Sequence, residues 1–340
     1  MYAPPNIESG PGIAGRLKDL PGRVLVATME IPWALLQDQM PWRPHHVHMV
    51  KDMDLTTLES LETSLPLCDI VIGVGGGSCC DTAKYLAWKR GCRMILVPTI
   101  ISVDAPLTNM IAVRVDNAVR YVGDIWPKEI LVDHDLIRKA PAELNRAGAA
   151  DIASIHTALY DWKLAGDLRG EAYHPEVADL AQQCLEELDR NAEEVFNVTP
   201  KGIDTIVDLY RREVEFCAGI GTSRPEEGSE HLVAYNLEHI TRRHFVHGDL
   251  VALGIFLMTR LQQNRHEWAV DFMNRLGLRY RVPGGIRIEA AGVTRDETEQ
   301  CLVTLKDFAQ ETNLFFSVVD VRDISPTFIR ESLAALYYRS

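Results

Sequence analysis

Two parts of the chain combine residue types and spacing that could do chemistry. The first is Gly75-Gly76-Gly77-Ser78, which follows the apolar run Asp69 to Val74 and leads into a helix-like segment from Cys79 to Trp88. A strand, a glycine turn and a helix start are the parts of a phosphate cradle: glycines let the backbone approach an anion, and the first N–H groups of a helix point at it without intrahelical partners. Ser78 and Asp81, three residues apart, have capping-box spacing, which predicts a helix start at Ser78. The loop is neither the G-x-G-x-x-G dinucleotide fingerprint nor a Walker loop. On residue chemistry alone it reads as a pyrophosphate site or as a plain tight turn closing a βα unit.

The second is a scattered trio: Asp151 in AGAADIAS, His231 in GSEHLVAY and His247 in HGDLVALG. Two neutral imidazoles and one carboxylate leave coordination positions open, which suits a catalytic Zn²⁺ or Fe²⁺ and not a closed structural site. Each residue also has an ordinary alternative. Asp151 reads equally as an N-cap or first-turn acid, His231 as a satisfied core histidine and His247 as a solvated turn residue.

The elements that must position these groups change character near residue 140. Before it, short β-branched runs (Arg23 to Thr28, His46 to Val50, Asp69 to Val74, Arg93 to Thr99, Ile111 to Val115, Ile130 to Val132) alternate with polar or helical stretches, the pattern of an α/β unit with a mostly parallel, Rossmann-like sheet. After Pro141 the period lengthens to that of helices, over Asp151 to Ala165, Pro175 to Val195, Gly202 to Gly219, Ser229 to Arg242 and His247 to Gln263. The expectation is an α/β domain over 1–140 and an all-helical domain over 141–340, with the active site in the cleft between them. Trp162, at helix spacing with Ile155 and Leu159, is expected in the core. His45, His46 and His48 alternate on a strand-like stretch and His244 sits in a loop, so none is expected to ligate.

Bulk composition narrows the partners. The 340 residues carry 35 basic and 48 acidic side chains, a formal charge of -13, so the overall field repels nucleic acid and anionic membrane alike. Small-molecule partners are expected, and any anionic one must be captured by local devices such as helix N-termini. No apolar run approaches the roughly 18 residues of a membrane span, and no signal-peptide pattern opens the chain. Seven cysteines without a C-x-x-C spacing fit reduced thiols and a cytoplasmic location.

The string GGGSCCDTAK, Gly75 to Lys84, resembles the GGGSxxDxAK signature of the iron-containing alcohol dehydrogenase superfamily, which also holds glycerol dehydrogenases, glycerol-1-phosphate dehydrogenases and dehydroquinate synthases. VPTIISVDAPLTN, Val97 to Asn109, is similar to the segment after the next strand in glycerol dehydrogenases, and Gly10-Pro11-Gly12 to the family's N-terminal G-P-G. The likeness runs over roughly residues 7 to 320. It implies a cofactor, NAD or NADP, held by Gly75, Gly76, Gly77, Ser78, Asp81, Lys84, Thr99, Ser102 and Thr108. It implies one divalent metal on Asp151, His231 and His247, and a substrate hydroxyl on Asp104, whose alternative role is an Asx turn before proline. Tyr235 stands where many alcohol dehydrogenases of the superfamily place a further histidine ligand, which favours zinc over iron.

GSEH and Asp161-Trp162-Lys163 resemble the glycerol-1-phosphate branch, in which case Arg224 is the expected contact for a substrate phosphate. The resemblance thus implies an NAD(P)-linked dehydrogenase reducing dihydroxyacetone phosphate, and a homo-oligomer. The alternatives are a glycerol or other iron or zinc alcohol dehydrogenase, a dehydroquinate synthase-like cyclase, disfavoured by Asp151 in place of Glu and by few basic residues around the motifs, and a non-enzymatic homologue.

Overall fold

In the computed structural model the described residues are 5–115, 118–280 and 292–337. They form two compact units, the first reaching to Asn145 and including Val198–Glu215, the second comprising Arg146–Asn197 and the residues from Phe216 onward.

The first unit is built on six parallel strands: β1 (Asn6–Gly10), β2 (Val24–Thr28), β3 (His46–Met49), β4 (Ile70–Gly75), β5 (Arg93–Pro98) and β8 (Glu129–Asp133), in the order β1-β8-β5-β4-β2-β3. Every residue of β2 and β4 is buried, as continuous apolar runs covered on both faces must be. From β2 the chain steps outward to β3 and then returns to place β4 on the other side of β2. That reversal of direction is the topological switch beyond whose carboxyl edge α/β sheets bind ligands, and the glycine loop lies directly after β4.

Two expectations need correction here. Ile111 to Val115 is no part of this sheet. As β6 (Met110–Val115) it pairs antiparallel with β7 (Ala118–Asp124), and Ile111 and Val113 pack with Leu58 and Tyr85 in a separate small core. Its alternating burial, with only one side covered, is that of a hairpin and not of a strand enclosed on both faces. The second concerns Ser78. The helix is Gly77–Arg90 with Gly76 as N-cap and no side-chain cap, and Asp81 turns instead to Lys84, Oδ1 to Nζ 2.6 Å, with both side chains buried.

The second unit is helical where described. Ala149–Arg169, Pro175–Arg190, Ser229–Thr241 and His247–Gln262 match expected segments within a few residues, and Pro200–Ile220 matches the one that straddles the two units. His266–Leu276, Arg295–Thr312 and Pro326–Tyr337 had no forecast. Trp162 is fully buried, its indole N–H donating to the Ala172 carbonyl at 2.8 Å.

Candidate metal centre and glycine loop

Three helix starts converge on one point of the second unit. Asp151 lies in the first turn of Ala149–Arg169, His231 in the first turn of Ser229–Thr241, and His247 opens His247–Gln262. Two glycines explain why these helices can come so close. A Cβ on Gly248 would stand 1.9 Å from the Ala147 carbonyl oxygen, so only glycine lets the helix opened by His247 touch the backbone just ahead of Asp151. A Cβ on Gly254 would stand 2.3 Å from the Glu230 carbonyl oxygen, which ties the same helix to the one carrying His231.

The result is a set of one carboxylate oxygen and two imidazole nitrogens lying within 4.8 Å of one another, with His247 Nε2 3.6 Å from Asp151 Oδ1. The two imidazole rings are 5.3 Å apart. His231 is buried while Asp151 and His247 stay partly open.

The surroundings favour a cation. Glu230 Oε1 lies 2.8 Å from His231 Nδ1 and also accepts the Gly228 N–H at 2.6 Å. Burial opposes a charged His231, yet the Glu230 hydrogen bond and the carboxylates of Glu227 and Asp151 outweigh it and raise the imidazole pKa to about 9. Burial likewise pushes the Glu227 carboxyl up, but His231, Ser223, Tyr235 and His247 together hold it below the ordinary carboxylate range. Three acids around two imidazoles make a negative pocket that prefers a positive charge at its centre. The donor set, its one buried and two accessible ligands, and an anionic partner on the far nitrogen of His231 all fit a divalent ion with open coordination positions.

Tyr235 is no ligand. Its hydroxyl donates to Glu227 Oε1 at 2.6 Å, while Ser223 donates to Glu227 Oε2 at 2.6 Å, and its ring stacks beside His247. Glu227 and Glu230 are the residues sequence reading missed. The acid immediately before His231 was a usable signal, because a carboxylate next to a ligating histidine can fix its tautomer.

In the first unit the glycine loop has the shape of a backbone cradle. Gly75 adopts φ +148, and a Cβ there would meet Cys79 Sγ at 2.5 Å. A Cβ on Gly76 would press on Ile100 at 2.9 Å, and one on Gly77 on Val103 at 3.1 Å. The Thr99 N–H donates to the Gly75 carbonyl at 3.1 Å, pinning the following segment to the loop. The missing side chains let the loop pack closely on Cys79, Ile100 and Val103, which makes a compact turn between β4 and the helix start, the place where helix N–H groups can meet an anion.

Asp81 and Lys84 stand apart from that surface. Burial raises the Asp81 carboxyl pKa against the pull of Lys84, and the Lys84 ammonium donates to the Met110 carbonyl at 2.5 Å and the Thr108 carbonyl at 3.4 Å. This pair clamps the β6–β7 hairpin to the helix and leaves no ammonium for a cofactor phosphate. The Thr108 hydroxyl accepts the Met110 N–H at 3.4 Å, Ser102 is half-buried in the same segment, and the Asp104 carbonyl accepts the N–H groups of Leu107 and Thr108 in a tight turn.

Arg224 does not stand as the free cation its place beside the motif suggests. It is buried, its Nε faces Glu171 Oε1 at 2.8 Å, and its Nη2 donates to the carbonyls of Phe316 at 2.8 Å and Asp161 at 3.1 Å. These contacts brace the loop ahead of the Ser229–Thr241 helix and turn the guanidinium inward.

A doubly wound sheet with a glycine cradle at its switch point, and a helical unit holding an N,N,O cluster, define a nucleotide-binding and metal-binding class of protein. Residues 27–141 match the model of the iron-containing alcohol dehydrogenase family. The chain is 36% identical over 225 residues to a glycerol-1-phosphate dehydrogenase [NAD(P)+] of Hyperthermus butylicus, covering 65% of this chain and 63% of that protein, so it spans under two thirds of that relative's length. It is 31% identical to one of Thermoplasma acidophilum, covering 69% and 68% of the two chains. A crystal structure of a probable glycerol dehydrogenase from Sinorhizobium meliloti superposes with a TM-score of 0.72 at 20% identity, covering 99% of this chain and 97% of the other. The chain belongs to the iron-containing alcohol dehydrogenase family.

Proposed function

We propose that this protein is a metal-dependent, NAD(P)-linked oxidoreductase that reduces the ketone of dihydroxyacetone phosphate. The observation that carries the reading is the convergence of Asp151, His231 and His247 within 4.8 Å in a chain whose relatives are named glycerol-1-phosphate dehydrogenases. These three residues would hold one divalent ion, zinc in preference to iron, because Tyr235 directs its hydroxyl to Glu227 and adds no further imidazole. When bound, such an ion supplies Lewis acidity to the carbonyl being reduced, and the nicotinamide supplies the hydride.

The chain's own residues do the rest. Glu230 orients the His231 ring and holds its tautomer. The backbone of Gly75 to Ser78 receives the cofactor pyrophosphate, flanked by Thr99, Ser102 and Thr108, and Asp104 orients a substrate hydroxyl. Small molecules are the partners, as the charge of -13 favours, the cysteine pattern suits a cytoplasmic location, and the protein is homo-oligomeric by resemblance to its family.

A second reading, reduction of unphosphorylated dihydroxyacetone, gains weight from the internal commitments of Arg224. Initial rates at 340 nm with each ketone, NADH or NADPH and added Zn²⁺ separate the two. The reading predicts a higher kcat/KM for dihydroxyacetone phosphate; equal or better use of the free ketone moves the assignment to a glycerol dehydrogenase.

A further inference from the structure

At the amino ends of β4 and β5, away from the glycine loop, two thiols meet. Cys68 precedes β4 and Cys92 precedes β5; the register pairs Ile70 with Arg93, so one step back Asp69 stands opposite Cys92, with Cys68 beside it. Neighbouring strands are about 4.8 Å apart and each residue advances about 3.3 Å, so a pair one step out of register lies about 6 Å apart, within the Cα separation a disulfide accepts. The two thiols are close enough to influence each other's ionisation and both are partly exposed.

A fixed cation stands over one of them. The Arg90 guanidinium donates to the carbonyls of Glu62 at 2.6 Å, Pro66 at 2.9 Å, Leu65 at 3.1 Å and Leu61 at 3.3 Å, closing the end of the Leu55–Ser64 helix. Held in this way, its Nη1 sits 3.8 Å from Cys68 Sγ. The Cys92 thiol and Arg90 outweigh burial and the nearby Asp69, bringing the Cys68 thiol down to about 6, while Cys68 in turn raises Cys92. The buried Cys79 and Cys301 thiols are instead pushed up to about 12, and complete burial raises Cys80 as well. Reactive cysteines occupy partly open, electropositive surroundings of the first kind, and inert ones are enclosed like the second.

We propose that Cys68 and Cys92 are a reactive thiol pair, with Cys68 the nucleophile toward low-molecular-weight disulfides and Cys92 the resolving thiol. The Cys68 thiolate attacks one sulfur of the disulfide, forming a mixed disulfide and expelling one thiolate. Cys92 loses its proton and attacks the Cys68 sulfur, expelling the second thiol. The two protein thiols are oxidised to one disulfide, and the small disulfide is reduced to two thiols.

The test treats the folded full-length chain with oxidised glutathione, blocks remaining thiols with an alkylating agent and maps peptides by mass. The expected result is a Cys68–Cys92 cross-link that forms before any other cysteine reacts and is reversed by dithiothreitol. Cys92→Ser should stop at one glutathione on Cys68, and Cys68→Ser should react at least tenfold more slowly. Initial modification of Cys68 should be half-maximal near pH 6, set by Cys92, Arg90 and Asp69. No cross-link in the wild-type chain, earlier reaction of Cys217, or a Cys68→Ser variant that loses thiols at the wild-type rate would each overturn the proposal.

Discussion

Glu230 Oε1 lies 2.8 Å from Nδ1 of His231, with both side chains buried, and this contact engages one ring nitrogen and leaves Nε2 as the one for a metal shared with Asp151 and His247. A carboxylate on the far nitrogen fixes the tautomer, orients the ring and raises its basicity as a ligand. Glu230→Gln keeps an acceptor for Nδ1 and for the Gly228 N–H but removes the charge. The expected outcome, by isothermal titration with Zn²⁺, is about 10- to 100-fold weaker metal binding with an unchanged far-UV spectrum. Metal affinity equal to wild type would reduce Glu230 to a packing residue.

The glycine loop gives a prediction about cofactor binding. A β-branched side chain at position 76 would push on the tip of Ile100, which can rotate away, so Gly76→Val should fold. It would also stand where backbone must approach a pyrophosphate. Fluorescence titration with NADH and NADPH should show a dissociation constant raised at least tenfold. Unchanged affinity in the folded variant would make the loop a plain βα turn.

Asp161 predicts a pH dependence of stability. Its carboxylate accepts the N–H groups of Ser229 and Val318, both at 2.8 Å, yet burial, with repulsion from Glu230, raises its pKa from 3.8 to about 6. Between those two values the folded chain holds a proton that the unfolded chain has released, so stability falls as pH rises from about 4 to about 6 and is flat in this contribution above that. The loss is roughly 2 to 3 kcal/mol. Asp161→Asn removes the ionisation and loses one acceptor, a constant penalty. Urea unfolding should therefore show the wild-type chain losing this much stability relative to the variant across that window. Parallel profiles would contradict the raised pKa.

What the sequence disclosed follows from how locally each feature is encoded. β2 and β4 are unbroken apolar runs, and the helices that carry Asp151, His231 and His247 have clear periods, so their positions were legible. The segment Met110–Val115 was misplaced because its burial alternates against a local partner, which no single run reveals. The Ser78–Asp81 spacing misled because a buried ammonium, Lys84, competes for the Asp81 carboxylate more strongly than a helix N–H does. Arg224 looked like a free cation beside a motif; only the fold brings Glu171 and the Phe316 carbonyl to it.

The most direct test of the account is re-metallation. Chain stripped of metal by chelation and then titrated with Zn²⁺ should oxidise NADH or NADPH in the presence of dihydroxyacetone phosphate, with the rate rising linearly to a break at one equivalent per chain. His247→Ala should show no such break. Full turnover by the metal-free chain, or restored turnover in the His247→Ala variant with wild-type metal content, would contradict the assignment of Asp151, His231 and His247 as the centre on which the reaction depends.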